Sequence, residues 1–180
     1  MRKNKFRFQA LKLCFWIFLI FLVQTFVNGF TELFLLDSSL TLQFWRFFTS
    51  IFLHGDFAHL LYNLFALALF GSMLEKFIGS RKFLIVFFVT GILANIISVN
   101  FYDASLGASG AIFGIIGALI VVRPFMVVWA FGLPMPLILA GILWVVGDVI
   151  GIFVPSNVAN LAHLSGIAFG LIFGGLYRKK

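Results

Sequence analysis

Long apolar stretches, separated by short segments with polar residues, dominate this chain. Six stretches approach the roughly 20 mainly apolar residues that a membrane-spanning helix needs. They cover residues 11–30, 57–74, 83–101, 107–122, 133–153 and 158–177. The pattern predicts an all-α, polytopic membrane protein whose single domain, residues 1–180, is a six-helix bundle.

The longest connection, residues 31–56, is itself apolar. It mixes large apolar side chains with single polar ones, so it is too apolar for a solvated loop. Such a composition predicts short helices embedded in the outer membrane interface. We expect Trp45 and Arg46 to lie there at the level of the lipid headgroups.

Composition supports a membrane protein, and the positions of the charges give an orientation. The chain is 62% hydrophobic and 11% charged, whereas soluble domains are about 45–50% apolar and about 25% charged. With six spans, twelve of the 13 basic residues fall on one side of the membrane, and Arg46 falls on the other. The positive-inside rule therefore predicts cytoplasmic N- and C-termini. We expect an integral protein of a prokaryotic plasma membrane. Because topology accounts for the net charge of +7, the sequence gives no support for a nucleic-acid partner.

Four polar residues lie at similar depths in three of the predicted spans. His59 and Asn63 are four residues apart on one helix, Ser109 begins the fourth span, and His163 lies in the sixth. Counted from the first charged residue at each inner helix end, all four lie about 18 to 24 Å up at the helical rise. Polar groups inside a membrane are costly, so this coincidence indicates a functional site.

The fourth span is short enough to place Ser109 below the membrane surface. Residues 107–122 extend only about 24 Å as a helix, against a hydrocarbon core of about 30 Å. The first turn then has unpaired backbone N–H groups inside the membrane, which require a water-filled cavity. The positive end of the helix dipole favours an oxyanion at that position.

Glycine spacing predicts which helices approach each other. Gly110 and Gly114 form a GxxxG motif in the fourth span, and Gly166 and Gly170 continue along the His163 face of the sixth. Small residues at this spacing allow two helices to pack backbone to backbone. That packing would bring Ser109 within hydrogen-bond reach of His163, as a nucleophile and its base require.

Other polar residues receive more modest interpretations. Asp148 is assigned a structural or gating role, and His54 is interpreted as a residue that holds its loop in place. Three histidines suggest zinc as an alternative. However, the second span has no HExxH motif, the single Cys14 is unsuitable, and no carboxylate is near the candidate site. We therefore expect no metal and no other cofactor.

Several motifs together resemble the rhomboid family of intramembrane serine proteases. They are WR at Trp45-Arg46, HGDFAHLLYN at residues 54–63, GASG at residues 107–110 and AHLSGIAFG at residues 162–170. The resemblance covers most of the chain and implies a rhomboid-like bundle.

The resemblance also implies roles for individual residues. Ser109 and His163 would form a catalytic dyad, with no acid evidently placed to orient His163. His59, Asn63 and the Ser109 backbone N–H would form the oxyanion hole. Phe113, a tyrosine in some relatives, would stack on the catalytic histidine. The family needs no cofactor and cleaves membrane-anchored helices near the outer surface, so we expect single-span membrane proteins as substrates.

The predicted function is therefore that of an intramembrane serine endopeptidase. Span five, with the bulky Trp144, is interpreted as a gate that parts from span two to admit substrate. One alternative is a non-catalytic protein that binds client transmembrane helices. A second is a small transporter or channel, which would need a polar path to the cytoplasmic side that the inner halves of the spans do not offer. The sequence specifies neither the physiological substrate nor the oligomeric state.

Overall fold

A computed structural model describes residues 6–154 and 158–178. Its helices are α1 (Gln9–Phe26), α2 (Phe30–Phe34), α3 (Arg46–Thr49), α4 (Phe57–Ala66), α5 (Ser72–Ile78), α6 (Ser80–Ser98), α7 (Ser109–Val122), α8 (Leu137–Gly151) and α9 (Asn160–Tyr177). A π-helical turn, Leu67–Gly71, joins α4 and α5 into one helix, Phe57–Ile78. The strands are β1 (Leu36–Asp37) paired with β2 (Ala104–Ser105), and β3 (Val127–Ala130) paired with β4 (Leu133–Pro136), both antiparallel.

The lengths of the helices identify the class of protein. Among the described residues, four helices are long and apolar enough to cross a membrane: α1, the joined α4–α5 helix, α6 and α9. Helices α7 and α8 are apolar but shorter, with 14 and 15 residues. The chain is thus a polytopic helical membrane protein.

Helix α7 lies at the centre of the bundle, enclosed mainly by α9 and α6. A Cβ atom added to Gly166 would overlap the carbonyl oxygen of Gly110, and one added to Gly170 would overlap that of Gly114. On the other side, a Cβ on Gly114 would overlap the Thr90 side chain of α6. The close approach predicted from the glycine spacing is confirmed, because only glycine leaves room for backbones at this separation.

A buried carboxylate fixes the start of α1. Glu75, fully buried in α5, accepts hydrogen bonds at 3.0 to 3.1 Å from the backbone N–H groups of Arg7, Gln9 and Ala10. The Ser80 hydroxyl donates to the same carboxylate. First-turn N–H groups have no acceptor within their own helix, so Glu75 caps α1 from a distant part of the chain.

Each predicted span corresponds to an observed helix whose ends lie within four residues of the predicted ones, and proline and glycine explain two of the differences. Residues 133–136 of the fifth do not begin a helix but form β4, and α8 starts at Leu137. Proline lacks a backbone N–H, so Pro134 and Pro136 fit an edge strand better than a helix interior. In the first predicted span, 11–30, α1 ends at Phe26, and Gly29, at φ 79°, precedes α2.

The connection before α4 folds on itself through short helices, and Arg46 is buried within it. Only 4% of Arg46 is exposed. Its guanidinium donates to the backbone carbonyls of Glu32 and Leu35, both at 2.8 Å, and to Gln43. The loop thus encloses the Arg46 side chain, and its position at headgroup level stays a prediction. The folded loop needs donors for its unpaired carbonyls, and a guanidinium supplies several. Trp45 remains exposed.

Candidate active site

Ser109 occupies the first position of α7, where backbone donors are available. Ala108 precedes it as the cap residue, and the α-helical bonding starts with the Ile112 N–H donating to the Ala108 carbonyl. The N–H groups of the first turn thus have no acceptor within the helix. The Ser109 residue is half-buried, so it is only partly enclosed by protein.

Gly107 brings His59 close to this helix start. Gly107 has a φ of +125°, which disfavours other residues, and its N–H donates to the Ser50 carbonyl at 2.9 Å. A Cβ atom at position 107 would lie 2.8 and 2.9 Å from Cε1 and Nε2 of His59. The imidazole therefore rests directly against the backbone two residues before Ser109.

Asn63 lies one turn further along α4 and is buried. Its carboxamide nitrogen donates to the His59 carbonyl at 2.8 Å. That bond uses one of the two N–H groups of the amide, so the second is available to another acceptor. His59 and Asn63 thus share one face of α4, as their spacing predicted.

His163 is held beside Ser109 by an aromatic ring. Its imidazole stacks on Phe113 with ring centroids 4.2 Å apart and planes only 4° from parallel. Phe113 follows Ser109 by four residues and therefore shares its face of α7. The backbone contact between α7 and α9 fixes this arrangement, and the Tyr102 hydroxyl accepts the Leu161 N–H near the start of α9.

Within the described part of the chain, the Ser109 hydroxyl makes no hydrogen bond to His163. Catalytic hydrogen bonds are often long without substrate and shorten only in the reacting complex. His59 lies against Gly107, two residues before Ser109, and His163 stacks on Phe113 one turn after it. The structure therefore places Ser109, His163 and His59 in one region, without a hydrogen bond between Ser109 and His163 among the described residues.

Asp148, which was predicted to have a structural or gating role, contacts the His163 ring. Asp148 of α8 lies with Oδ1 2.9 Å from His163 Nδ1. The expectation that no acid is placed to orient His163 is therefore wrong. A signal was present: Asp148 and His163 each lie five residues inside the outer ends of predicted spans five and six, and hence at one depth.

His54, in the loop before α4, has a different role from the other two histidines. The Gln24 side chain holds its backbone, accepting the His54 N–H at 3.0 Å and donating to its carbonyl at 3.2 Å. Neither ring nitrogen of His54 has a hydrogen-bond partner among the described residues. Burial, reinforced by the neighbouring His59 ring, lowers the pKa of His54 to about 3. His54 thus packs as a neutral ring, consistent with the predicted loop-holding role.

Metal binding receives no support from the described residues. In residues 6–154 and 158–178, no group of three or more histidine, cysteine, aspartate or glutamate side chains is placed to hold a metal ion. Zinc in a catalytic site typically takes three protein ligands. The polar cluster around Ser109 is thus one of hydroxyl, imidazole, amide and a single carboxylate.

The chain is similar to known proteins over most of its length. A family model described as the Rhomboid domain matches residues 41–180. The chain is 33% identical over 144 residues to the rhomboid relative YdcA of Bacillus subtilis (strain 168), which covers 77% of this chain and 69% of YdcA. It is 36% identical over 132 residues to "Rhomboid protease GluP" of the same organism, covering 71% of this chain and 25% of GluP.

A plant relative shows a similar extent of likeness. "RHOMBOID-like protein 1" of Arabidopsis thaliana is 29% identical over 137 residues, which are 75% of this chain and 35% of that protein. The chain thus matches about a third or less of this protein and of GluP, and about two thirds of YdcA. The matched region of the family model contains every candidate site residue. The chain belongs to the rhomboid family.

Proposed function

We propose that this protein is an intramembrane serine endopeptidase that cleaves transmembrane helices of membrane-anchored substrates near the outer membrane surface. The observation that carries the proposal is the His163 ring lying flat on Phe113, one helical turn from Ser109 at the start of α7. Membership of a family that includes "Rhomboid protease GluP" supports the same chemistry.

The first chemical step is nucleophilic attack. The Ser109 oxygen forms a bond to the scissile carbonyl carbon while its proton passes to His163 as general base. The tetrahedral intermediate then collapses: the carbon–nitrogen bond breaks and His163 returns the proton to the leaving amine. Water afterwards attacks the acyl carbon and gives a proton to His163. The bond between that carbon and the Ser109 oxygen then breaks, His163 returns the proton to Ser109, and the new carboxyl terminus of the substrate leaves.

The developing oxyanion is stabilised by donors around the start of α7. The Ser109 N–H has no acceptor in its helix, and the helix dipole favours negative charge there. His59 rests against Gly107 two residues away, and Asn63 keeps one amide N–H for an acceptor. Donors fixed before the reaction need little reorganisation when the charge forms.

Topology and access follow from the helices and the basic residues. We propose six spans, with α7 and α8 as the two short ones, and both termini in the cytoplasm of a prokaryotic cell. Substrates are single-span membrane proteins that enter from the lipid between α8 and the α4–α5 helix. Trp144 of α8 meets Phe70 there edge to face, with ring centroids 5.9 Å apart. Parting these rings opens the gate.

The test uses the purified full chain in lipid vesicles with a model single-span substrate. We expect cleavage by the wild type and none by Ser109→Ala, and covalent labelling by a fluorophosphonate should disappear in the same variant. Ser165→Ala is the matched control, because the Ser165 hydroxyl bonds the Ala162 carbonyl of its own helix at 3.0 Å and lies outside the proposed chemistry. Labelling that persists in Ser109→Ala would move the nucleophile elsewhere.

The second candidate function is non-catalytic binding of client transmembrane helices. The observation that favours it is the missing hydrogen bond between Ser109 and His163 among the described residues. Under that function, wild type and Ser109→Ala bind a model helix equally well and neither cleaves it. Crosslinking yields of the two proteins with the same substrate distinguish the candidates.

A further inference from the structure

The His163 imidazole has a carboxylate beside one of its ring nitrogens, Nδ1. Asp148 Oδ1 lies 2.9 Å from His163 Nδ1, and the two side chains are only 9% and 13% exposed. Among the described residues, no other carboxylate contacts this ring. The pair joins α8 to α9 by a polar contact inside the bundle.

An ionised carboxylate accepts hydrogen bonds and donates none. Opposite Asp148, His163 Nδ1 must therefore carry a proton when the ring is neutral, and Nε2 is left with a lone pair. That lone pair is what a general base needs to take the Ser109 proton. The hydrogen bond at one ring nitrogen thus sets the tautomer at the other.

We infer that Asp148 is a positioning residue that completes a Ser109–His163–Asp148 triad. This inference rests on the proposed peptidase function. Asp148 holds the proton on His163 Nδ1, fixes the rotation of the ring together with Phe113, and stabilises the imidazolium that forms when Ser109 attacks. It neither touches the substrate nor exchanges the essential proton.

A purely structural tie between α8 and α9 explains the observations less well. A carboxylate within a membrane helix is costly and is usually functional. Asp148 Oδ2 is buried and has no hydrogen-bond partner among the described residues. The carboxylate is thus directed at the imidazole alone, whereas the structural carboxylate of Glu75 is surrounded by backbone donors and the Ser80 hydroxyl.

The kinetic test compares three variants of the full chain in lipid vesicles. Asparagine at position 148 can donate to Nδ1 and hold the wrong tautomer, and this change in a Ser-His-Asp triad costs about 10⁴-fold in kcat. We expect Asp148→Asn to lower kcat by about 10²- to 10⁴-fold with KM little changed. Asp148→Glu, which keeps the carboxylate, should regain part of that loss. Asp103→Asn removes an exposed carboxylate elsewhere and should retain the wild-type rate.

A spectroscopic measurement reports the role of Asp148 independently of cleavage. The chain has three histidines, so ring resonances of protein labelled with ¹³C,¹⁵N-histidine can be assigned using His163→Gln. We expect neutral His163 to carry its proton on Nδ1 in the wild type and in Asp103→Asn. In Asp148→Asn a large fraction should shift to the Nε2–H tautomer.

The inference is overturned if Asp148→Asn keeps the wild-type kcat, or if its His163 tautomer is unchanged. It is also overturned if activity and melting temperature fall together while the folded fraction retains full fluorophosphonate labelling. If the wild type neither cleaves nor labels, the proposed peptidase function fails. The tautomer measurement would still decide whether Asp148 orients His163.

Discussion

Helices α7 and α8 are both short and apolar, but they are held in place in different ways. Most of α7 is buried, and its glycines bring its backbone against α9. Only four residues of α8 are buried, namely Leu137, Ala140, Gly141 and Asp148. Its first two N–H groups donate to the carbonyls of Met126 and Pro124, and further along the helix Trp144 and Asp148 make side-chain contacts. The proposed nucleophile and base thus lie on a closely packed pair of helices. The helix beside them has fewer buried residues than α7.

The largest expected effect comes from separating α7 and α9. Gly170→Leu places a side chain where a Cβ atom would already overlap the Gly114 carbonyl, and a helix backbone cannot easily give way. We expect a loss in the free energy of unfolding at or beyond the usual overpacking cost of about 1–3 kcal/mol. Cleavage should disappear with the folded protein. Thermal unfolding in detergent, measured beside cleavage, checks both.

Gly175→Leu is the control for that change. It lies on the same helix, and a Cβ atom there meets no described atom within 4 Å. Its melting temperature should stay at the wild-type value or rise slightly, because leucine favours helix more than glycine does. Equal losses in the two variants would show that α7 and α9 do not depend on glycine contact.

Replacing the proposed oxyanion donors should affect rate without comparable loss of the fold. His59→Ala and Asn63→Ala each remove a side-chain donor. Both leave the Ser109 N–H and the glycine contacts between α7 and α9 in place. Loss of one such donor typically costs about 10²–10³ in kcat. We expect losses of that size, with slow fluorophosphonate labelling retained. The double variant should be worse than either single variant but not additively, since both groups serve one charge.

Melting temperatures on the same preparations distinguish this role from a structural one. His59 also packs against Gly107, so a structural role predicts that activity falls in proportion to stability. Full activity in both single variants, or activity that tracks unfolding, would remove these residues from the mechanism.

The smallest expected effect concerns the attachment of α8. Trp144→Ala removes the edge-to-face contact with Phe70. Aromatic pairs contribute about 0.5–1.5 kcal/mol beyond their buried area, which corresponds to about 2- to 10-fold in an opening equilibrium. We expect cleavage of a membrane-embedded substrate to rise by about that factor, while labelling by a small fluorophosphonate stays constant.

Trp129→Ala serves as the matched control, because Trp129 is an exposed tryptophan of β3. Its cleavage rate should equal that of the wild type. If Trp144→Ala folds normally and cleaves at the wild-type rate, the gate lies elsewhere.

Spacing along a helix is local information, and the parts of the site that depend on it were predictable. The glycine series indicated the α7–α9 contact, and four residues between His59 and Asn63 indicated a shared face. Asp148 and His163 also lie at equal depths in their predicted spans, but the sequence analysis did not pair them. The sequence does not specify which way α8 turns in the bundle, so the contact between these two residues required the structure.

Hydropathy was least informative where the chain is apolar but not a long helix. It could not distinguish strand β4 from the start of a span, although Pro134 and Pro136 disfavoured a helix there. It also gave no sign that the loop encloses the Arg46 side chain. The loop folds around Arg46, because its own carbonyls need donors that lipid cannot supply.

The enclosure of α7 has a consequence for how bilayer thickness acts on this protein. A helix of 14 residues extends about 21 Å, which is shorter than a typical hydrocarbon core. Few of its side chains face outward, so α7 itself adapts little to this difference in length. The outer helices α1 and α8 expose many large apolar side chains, so they adapt to the difference in length instead. Thicker or thinner membranes therefore tilt or shift these outer helices first, and the serine is displaced only as far as α6 and α9 yield.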